Sequence, residues 1–116
     1  MRIIDLHCYP NTDKWINCQG PYVKALAEYW NREWKGKEEE EVAAEFVANG
    51  LEAVLVALDL TTTVNTPPCD NDYVAGMRDR HDCMIQAWGA VEPAMGQAAI
   101  DEARHAIRDL GMLGFH

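Results

Sequence analysis

Two rhythms of apolar and polar positions alternate along this chain. Short, nearly continuous apolar runs recur, and the stretches between them carry apolar residues at helical spacing. The first run, Ile3-Ile4-Asp5-Leu6, lies in a strand expected over Arg2 to Leu6. Leu51 to Leu58 is the second, almost wholly apolar, as in a strand with both sheet faces covered. Met84 to Val91 is the third, and Met112 to Phe115 reads as the start of a fourth. From Lys37 to Ala48, Val42, Ala43, Phe46 and Val47 share one helical face, and Asn49-Gly50 supplies the stop. Asn71 to His81 predicts a shorter helix with Val74 and Met77 inward and Asp70 or Asn71 as its cap. Gln97 to Leu110 is a further helix whose inward stripe is Ile100, Ala103, Ile107 and Leu110, ended by Gly111. Repeated strand–helix wiring with short crossovers implies right-handed connections and parallel strands. The fold class expected is therefore α/β, with about four parallel strands.

Asn11 to Gly36 breaks the alternation. It is long, follows the first strand directly and carries Trp15, Tyr22, Tyr29, Trp30 and Trp34. A helix is expected within it at Pro21 to Trp34. An aromatic insertion at this place serves either as a lid or substrate wall, or as an extra helix packed over the rim or against a partner. Thr61 to Asp70 reads as a loop stiffened by Pro67-Pro68.

Composition narrows the function classes. The net charge of −9 opposes nucleic acid and anionic membrane, because phosphate binding needs clustered Lys and Arg. Glu38 to Glu41 contribute to it as a helix start, where carboxylates meet the positive end of the helix dipole. No apolar run approaches the ~18 residues that span a bilayer, and no leader is evident, so a cytoplasmic setting is expected. Cys8, Cys18, Cys69 and Cys83 are unevenly spaced with no C-x-x-C, so a zinc finger or ribbon is unsupported and free thiols are expected.

The candidate chemistry centres on His7, just past the last apolar residue of the first strand. Ligands in parallel α/β proteins sit at the carboxyl ends of the strands. An imidazole there is placed to bind metal or move protons; the plainer reading is a His bonded within the sheet end. Asp5 either orients His7 as an acceptor or is satisfied by backbone donors. Cys8 is expected on the opposite side, in the core. Tyr9 is either a hydrogen-bond donor to a substrate carboxylate or a rim aromatic, and Trp15 is a candidate for the same substrate wall. Asp59 and Glu92 follow the second and third strands and read as turn or cap residues, Trp88 as core, His81 and His105 as helical surface residues. His116 would face His7 if it extends a fourth strand.

Several segments together resemble a known family. These are Ile4-Asp5-Leu6-His7, Asn49-Gly50-Leu51-Glu52-Ala53-Val54-Leu55, Asn71-Asp72-Tyr73-Val74, Trp88-Gly89-Ala90-Val91-Glu92-Pro93 and the tail Gly111-Met112-Leu113-Gly114-Phe115. They look like the amidohydrolase-related family, in its aminocarboxymuconate-semialdehyde-decarboxylase-like branch. The resemblance implies a (β/α)8 TIM-type barrel with a divalent metal, zinc first, at the strand ends. It implies metal-dependent hydrolysis or decarboxylation of small carboxylated substrates, with His7 as a metal ligand. The family's H-x-H would put its second ligand at Tyr9, a departure, since a phenol with a pKa of about 10 is a poor ligand. A second departure is length: such a barrel takes about 250 residues, so residues 1–116 read as its N-terminal half, a single partial domain, natural or cut short. Lys14 and Lys24 are the cations nearest by sequence to an anionic substrate. The alternative function is a non-catalytic half-barrel that forms a homo-oligomer or pairs with a completing chain, because unclosed strands leave open edges. A small open flavodoxin-like sheet lacks the glycine-rich phosphate loop that a nucleotide role would need.

Overall fold

The computed structural model describes all residues, 1–116, as an α/β arrangement built on parallel strands. Strands β1 (Ile3–Cys8), β2 (Leu51–Val56) and β3 (Met84–Trp88) pair in the order β1-β2-β3, and both pairings are parallel. Between and after them lie α1 (Asp13–Cys18), α2 (Tyr22–Tyr29), α3 (Glu39–Ala48), α4 (Thr61–Val64), α5 (Asn71–Arg80), a 3-10 turn at Pro93–Met95 and α6 (Gln97–Arg108). The expected fourth strand is reduced to one parallel bridge, Gly89 with Phe115, beside β3. Gly89 N–H donates to Gly114 O at 2.9 Å and His116 N–H to Gly89 O at 2.7 Å. Two glycines permit that close approach. A Cβ on Gly89 would lie 3.0 Å from Asn71 Oδ1 and 3.1 Å from the Phe115 ring, and one on Gly114 3.3 Å from the Trp88 indole.

The central strand carries the core. Ala53, Leu55 and Ala57 are fully buried and share a cluster with Val42 and Ala43 of α3 and Val74 and Met77 of α5. Small residues on β2 let both helices approach the sheet closely. Side chains alternate along a strand, so Val54 and Val56 face away from those helices, yet they too are buried. Helix α3 begins with a capping box, in which the Glu41 carboxylate accepts from Glu38 N–H at 3.1 Å. Within the acidic run, Glu39 is not free in solvent but holds Arg80 at 2.9 Å, joining α3 to α5. Asp70 caps α5 by accepting from Tyr73 N–H at 2.8 Å.

Three expectations are corrected by packing. Helix α6 buries Ala99 and Ala106, while Ile100 and Ile107, expected inward, remain 49% and 45% exposed. An apolar stripe identifies a face only to about one residue's rotation of ~100°, and contact selected the small side of the stripe. The loop expected at Thr61 to Asp70 begins with a helical turn, α4, whose start is tied by Asp59 accepting from Thr61 N–H and Oγ at 2.9 and 2.6 Å. Trp88 is only half-buried. The insertion holds two short helices: α1 buries Trp15, Ile16 and Cys18, whereas α2 buries nothing. No helix is long and apolar enough to cross a membrane.

The molecule measures 42 × 38 × 20 Å, so its thin dimension accommodates only a sheet and one helix layer, each ~10 Å deep. Parallel sheets are ordinarily covered on both faces. Here Ile3 and Leu6 of β1 are 46% and 57% exposed, and Leu113 beside the sheet's other edge is 78% exposed.

Two contacts between elements give tests. Asn71 is buried and bonds Ala90 in both directions (Nδ2 to O at 2.9 Å, N–H to Oδ1 at 2.8 Å), with Nδ2 also donating to Glu102 at 2.7 Å. Asn71→Ala strands both Ala90 groups and lowers unfolding stability by about 1–3 kcal/mol in urea titration. His105 of α6 lies between Asp109 (Nδ1 at 2.8 Å) and Asp72 (Nε2 at 3.1 Å), and those carboxylates raise its pKa from 6.5 to about 9. A raised folded pKa means this clasp is complete below the unfolded value of 6.5 and is lost as pH climbs through about 9. A proton NMR titration of the His105 ring should give a midpoint far above 6.5, moving down in Asp109→Asn.

Candidate functional site at the carboxyl edge of the sheet

β1 delivers His7 and Cys8 to its carboxyl end, after a register shift against β2 between Asp5 and Cys8. The shift is a local bulge, a device that re-aims side chains at sheet edges. Asp5 Oδ1 accepts from the His7 backbone N–H at 2.9 Å. Of the two readings of Asp5, the backbone one is observed: its carboxylate serves the main chain rather than the imidazole. Cys8 is buried in the core as expected, and burial pushes its thiol up to about 12, which keeps it protonated and unreactive.

His7 Nε2 meets His116 Nε2 at 2.9 Å. That contact says much about the sheet. His116 follows the segment beside β3, so three strand spacings of ~4.8 Å separate it from β1 on a flat sheet. Side chains standing perpendicular to a flat sheet would run parallel and never meet. The two imidazoles therefore lean toward each other over the carboxyl rim, across the width of the three strands.

Tyr9 and Trp15 form the wall beside this pair. Tyr9 lies edge-on to His7 with ring centroids 5.0 Å apart, and 5.9 Å from His116. Trp15 of α1 stacks on Tyr9 at 4.6 Å and 29°, and Trp34 continues the row 6.1 Å from Trp15. Trp15 is 5% exposed, so it supports Tyr9 from behind more than it offers a face of its own, and its indole Nε1 has no hydrogen-bond acceptor. Of the two readings of the insertion, α1 fits the helix packed over the rim. It is tied there by Tyr73 Oη donating to Thr12 Oγ1 at 2.8 Å and Thr66 Oγ1 to Cys18 O at 2.8 Å. Helix α2 instead leaves Tyr29 and Trp30 80% and 53% exposed.

The cations are not where sequence proximity put them. Lys14 is bound to the Asp70 carboxylate and Lys24 lies 3.8 Å from Glu28. Arg32, Lys35 and Lys37 line a cavity of about 280 Å³ with Asn11, Ile16 and Trp34, at the far end of the aromatic row, with Lys35 lying 3.4 Å from Glu33 and Lys37 2.5 Å from Glu45. A second cavity, also about 280 Å³, opens past β2 and β3 among Asp59, Asp70, Asp72, Glu92 and Glu102. Five carboxylates make it hostile to an anion, and His7, Tyr9 and Trp15 are not in it. Asp59 and Glu92 serve there as caps, Glu92 accepting from Ala94 N–H at 3.1 Å. His81 lies 3.5 Å from Glu39 and His105 bridges α5 and α6, so neither belongs to the edge site.

No group of three or more His, Cys, Asp or Glu side chains gathers anywhere in a way that could hold a metal ion. His7 Nε2 has the His116 imidazole as its one hydrogen-bond partner, and no carbonyl or carboxylate engages it. Comparison with known proteins finds no matching family model, no matching curated protein and no matching solved structure.

Proposed function

We propose that this chain is the N-terminal part of a (β/α)-barrel hydrolase or carbon–carbon decarboxylase of the amidohydrolase-related kind, with its reaction centre at His7 and small carboxylated molecules as substrates. The observation that carries this reading is the convergence of His7 and His116 across the parallel sheet, at the carboxyl edge where barrel enzymes do their chemistry. Zinc or a similar ion held by His7 would act as a Lewis acid on water or on a substrate carbonyl or carboxylate. The remaining roles fall to side chains around it. Tyr9 offers a hydroxyl donor and Trp15 holds the Tyr9 ring in place by stacking. Arg32, beside Trp34, offers a positive group to an anion, whereas Lys35 and Lys37 on the same cavity are held by Glu33 and Glu45. Elemental analysis of the purified protein, before and after incubation with zinc or manganese, is the test. About one bound equivalent is expected; less than about a tenth with no gain on incubation rejects the metal-dependent reading.

A second reading is favoured by a separate observation. Ile3 and Leu6 on β1, Ile100 and Ile107 on α6, and Leu113 and Phe115 beside β3 are all 40% exposed or more. On this view the chain is a non-catalytic half-barrel that associates with itself or with a completing chain, covering those residues. Sedimentation velocity at micromolar concentration should then give a dimer or larger species. A sharp monomer would sink self-association and leave only a foreign partner.

A further inference from the structure

We propose that the cavity between the start of α1 and the segment Arg32 to Lys37 binds a ring-bearing phosphate monoester of nucleotide size, its ring on Trp34 and its phosphate on Arg32. The site is separate from the sheet edge: His7, Tyr9 and Trp15 do not line it, and it stands whether or not His7 holds a metal. Its two walls are pinned together. Lys37 N–H donates to Asn11 O at 2.9 Å and Gly36 N–H to Asp13 Oδ1 at 3.1 Å, which holds the segment against the chain entering α1. Only a glycine allows that approach, since a Cβ on residue 36 would lie 2.2 Å from Asp13 N. The cavity of about 280 Å³ is thus formed in advance, close to the lower end of the ~300–1,000 Å³ usual for small-molecule sites.

The lining joins an apolar part to a cationic one, and no carboxylate belongs to it. Ile16 is buried and Trp34 half-buried. Trp34 meets Trp15 and Trp30 at ring angles of 53° and 58°, so neither neighbour lies flat on it. An indole face left in this way takes a flat ring by stacking. From Asn31 to Lys37 three cations stand against one carboxylate, Glu33, in a chain of net charge −9. Screening over ~8 Å at physiological salt keeps distant acidic residues from cancelling them. Arg32 has no carboxylate partner, while the Lys35–Glu33 and Lys37–Glu45 pairs are 44–77% exposed and therefore weak. A phosphate monoester carries about −1.5 to −2 at pH 7 and three acceptor oxygens, enough to compete for both lysines. The guanidinium fork bonds two of those oxygens at once. A single carboxylate matches this set of cations less well.

The test is calorimetric titration of the full chain with adenosine monophosphate, adenosine, inorganic phosphate and benzoate. One equivalent of the monophosphate should bind, and the other three should each bind roughly tenfold more weakly or worse. Arg32→Gln and Trp34→Leu should each weaken the monophosphate by roughly tenfold. Lys24→Gln, on α2 and outside the cavity, should stay within about twofold. In the wild type the monophosphate should shift the NMR signals of the Trp34 indole and the Arg32 guanidinium and leave the His7 and His116 rings in place, a readout that needs no variant to fold. Inorganic phosphate binding as tightly as the monophosphate would overturn the role of Trp34, and benzoate binding as tightly would overturn the choice of phosphate. No binding, binding that Arg32→Gln leaves intact, or shifts centred on His7 would overturn the site itself.

Discussion

The structure hangs on β2. It is the one strand hydrogen-bonded on both sides, and its residues from Ala53 to Ala57 are all buried. A strand so enclosed has no solvent to satisfy its backbone, so both neighbours must pair with it in register. Its alanines at positions 53 and 57 set how near α3 and α5 can come. That approach in turn fixes where the helices begin, and therefore where the loops at the carboxyl edge leave the sheet.

The edge site follows from this packing. Parallel pairing brings the ends of β1, β2 and β3 to one rim, and the Gly89–Phe115 bridge adds the tail to the same rim. There His7 and His116 meet across the width of the sheet. The aromatic row of Tyr9, Trp15 and Trp34 then separates the imidazole pair from the cationic cavity around Arg32.

Helices cover one face of the sheet, and exposed apolar residues lie on β1, beside β3, on α2, α3 and α6, and at Met95. Burying a Leu or Ile side chain gains ~1.5–3 kcal/mol. Ile3, Leu6, Ile100, Ile107 and Leu113 are each at least 45% exposed, so a partner that covered them would gain this burial.

Much of this was legible in the residues themselves. The three strands, the helices over Lys37 to Ala48, Asn71 to His81 and Gln97 to Leu110, and the parallel wiring all follow from local periodicity and caps, because these depend on neighbours within a few positions. His7 at a strand end was legible for the same reason. What only tertiary structure decided involves residues far apart in the chain or choices between adjacent faces. Ala99 and Ala106 were buried in place of Ile100 and Ile107 because a stripe's width does not say which of its edges meets a neighbour. Asp5 was committed to the backbone, and Lys14 and Lys24 to carboxylates, because partners compete in three dimensions. The meeting of His7 with His116 across 109 positions came from strand order and from the tail's pairing beside β3, which no local pattern of residues encodes.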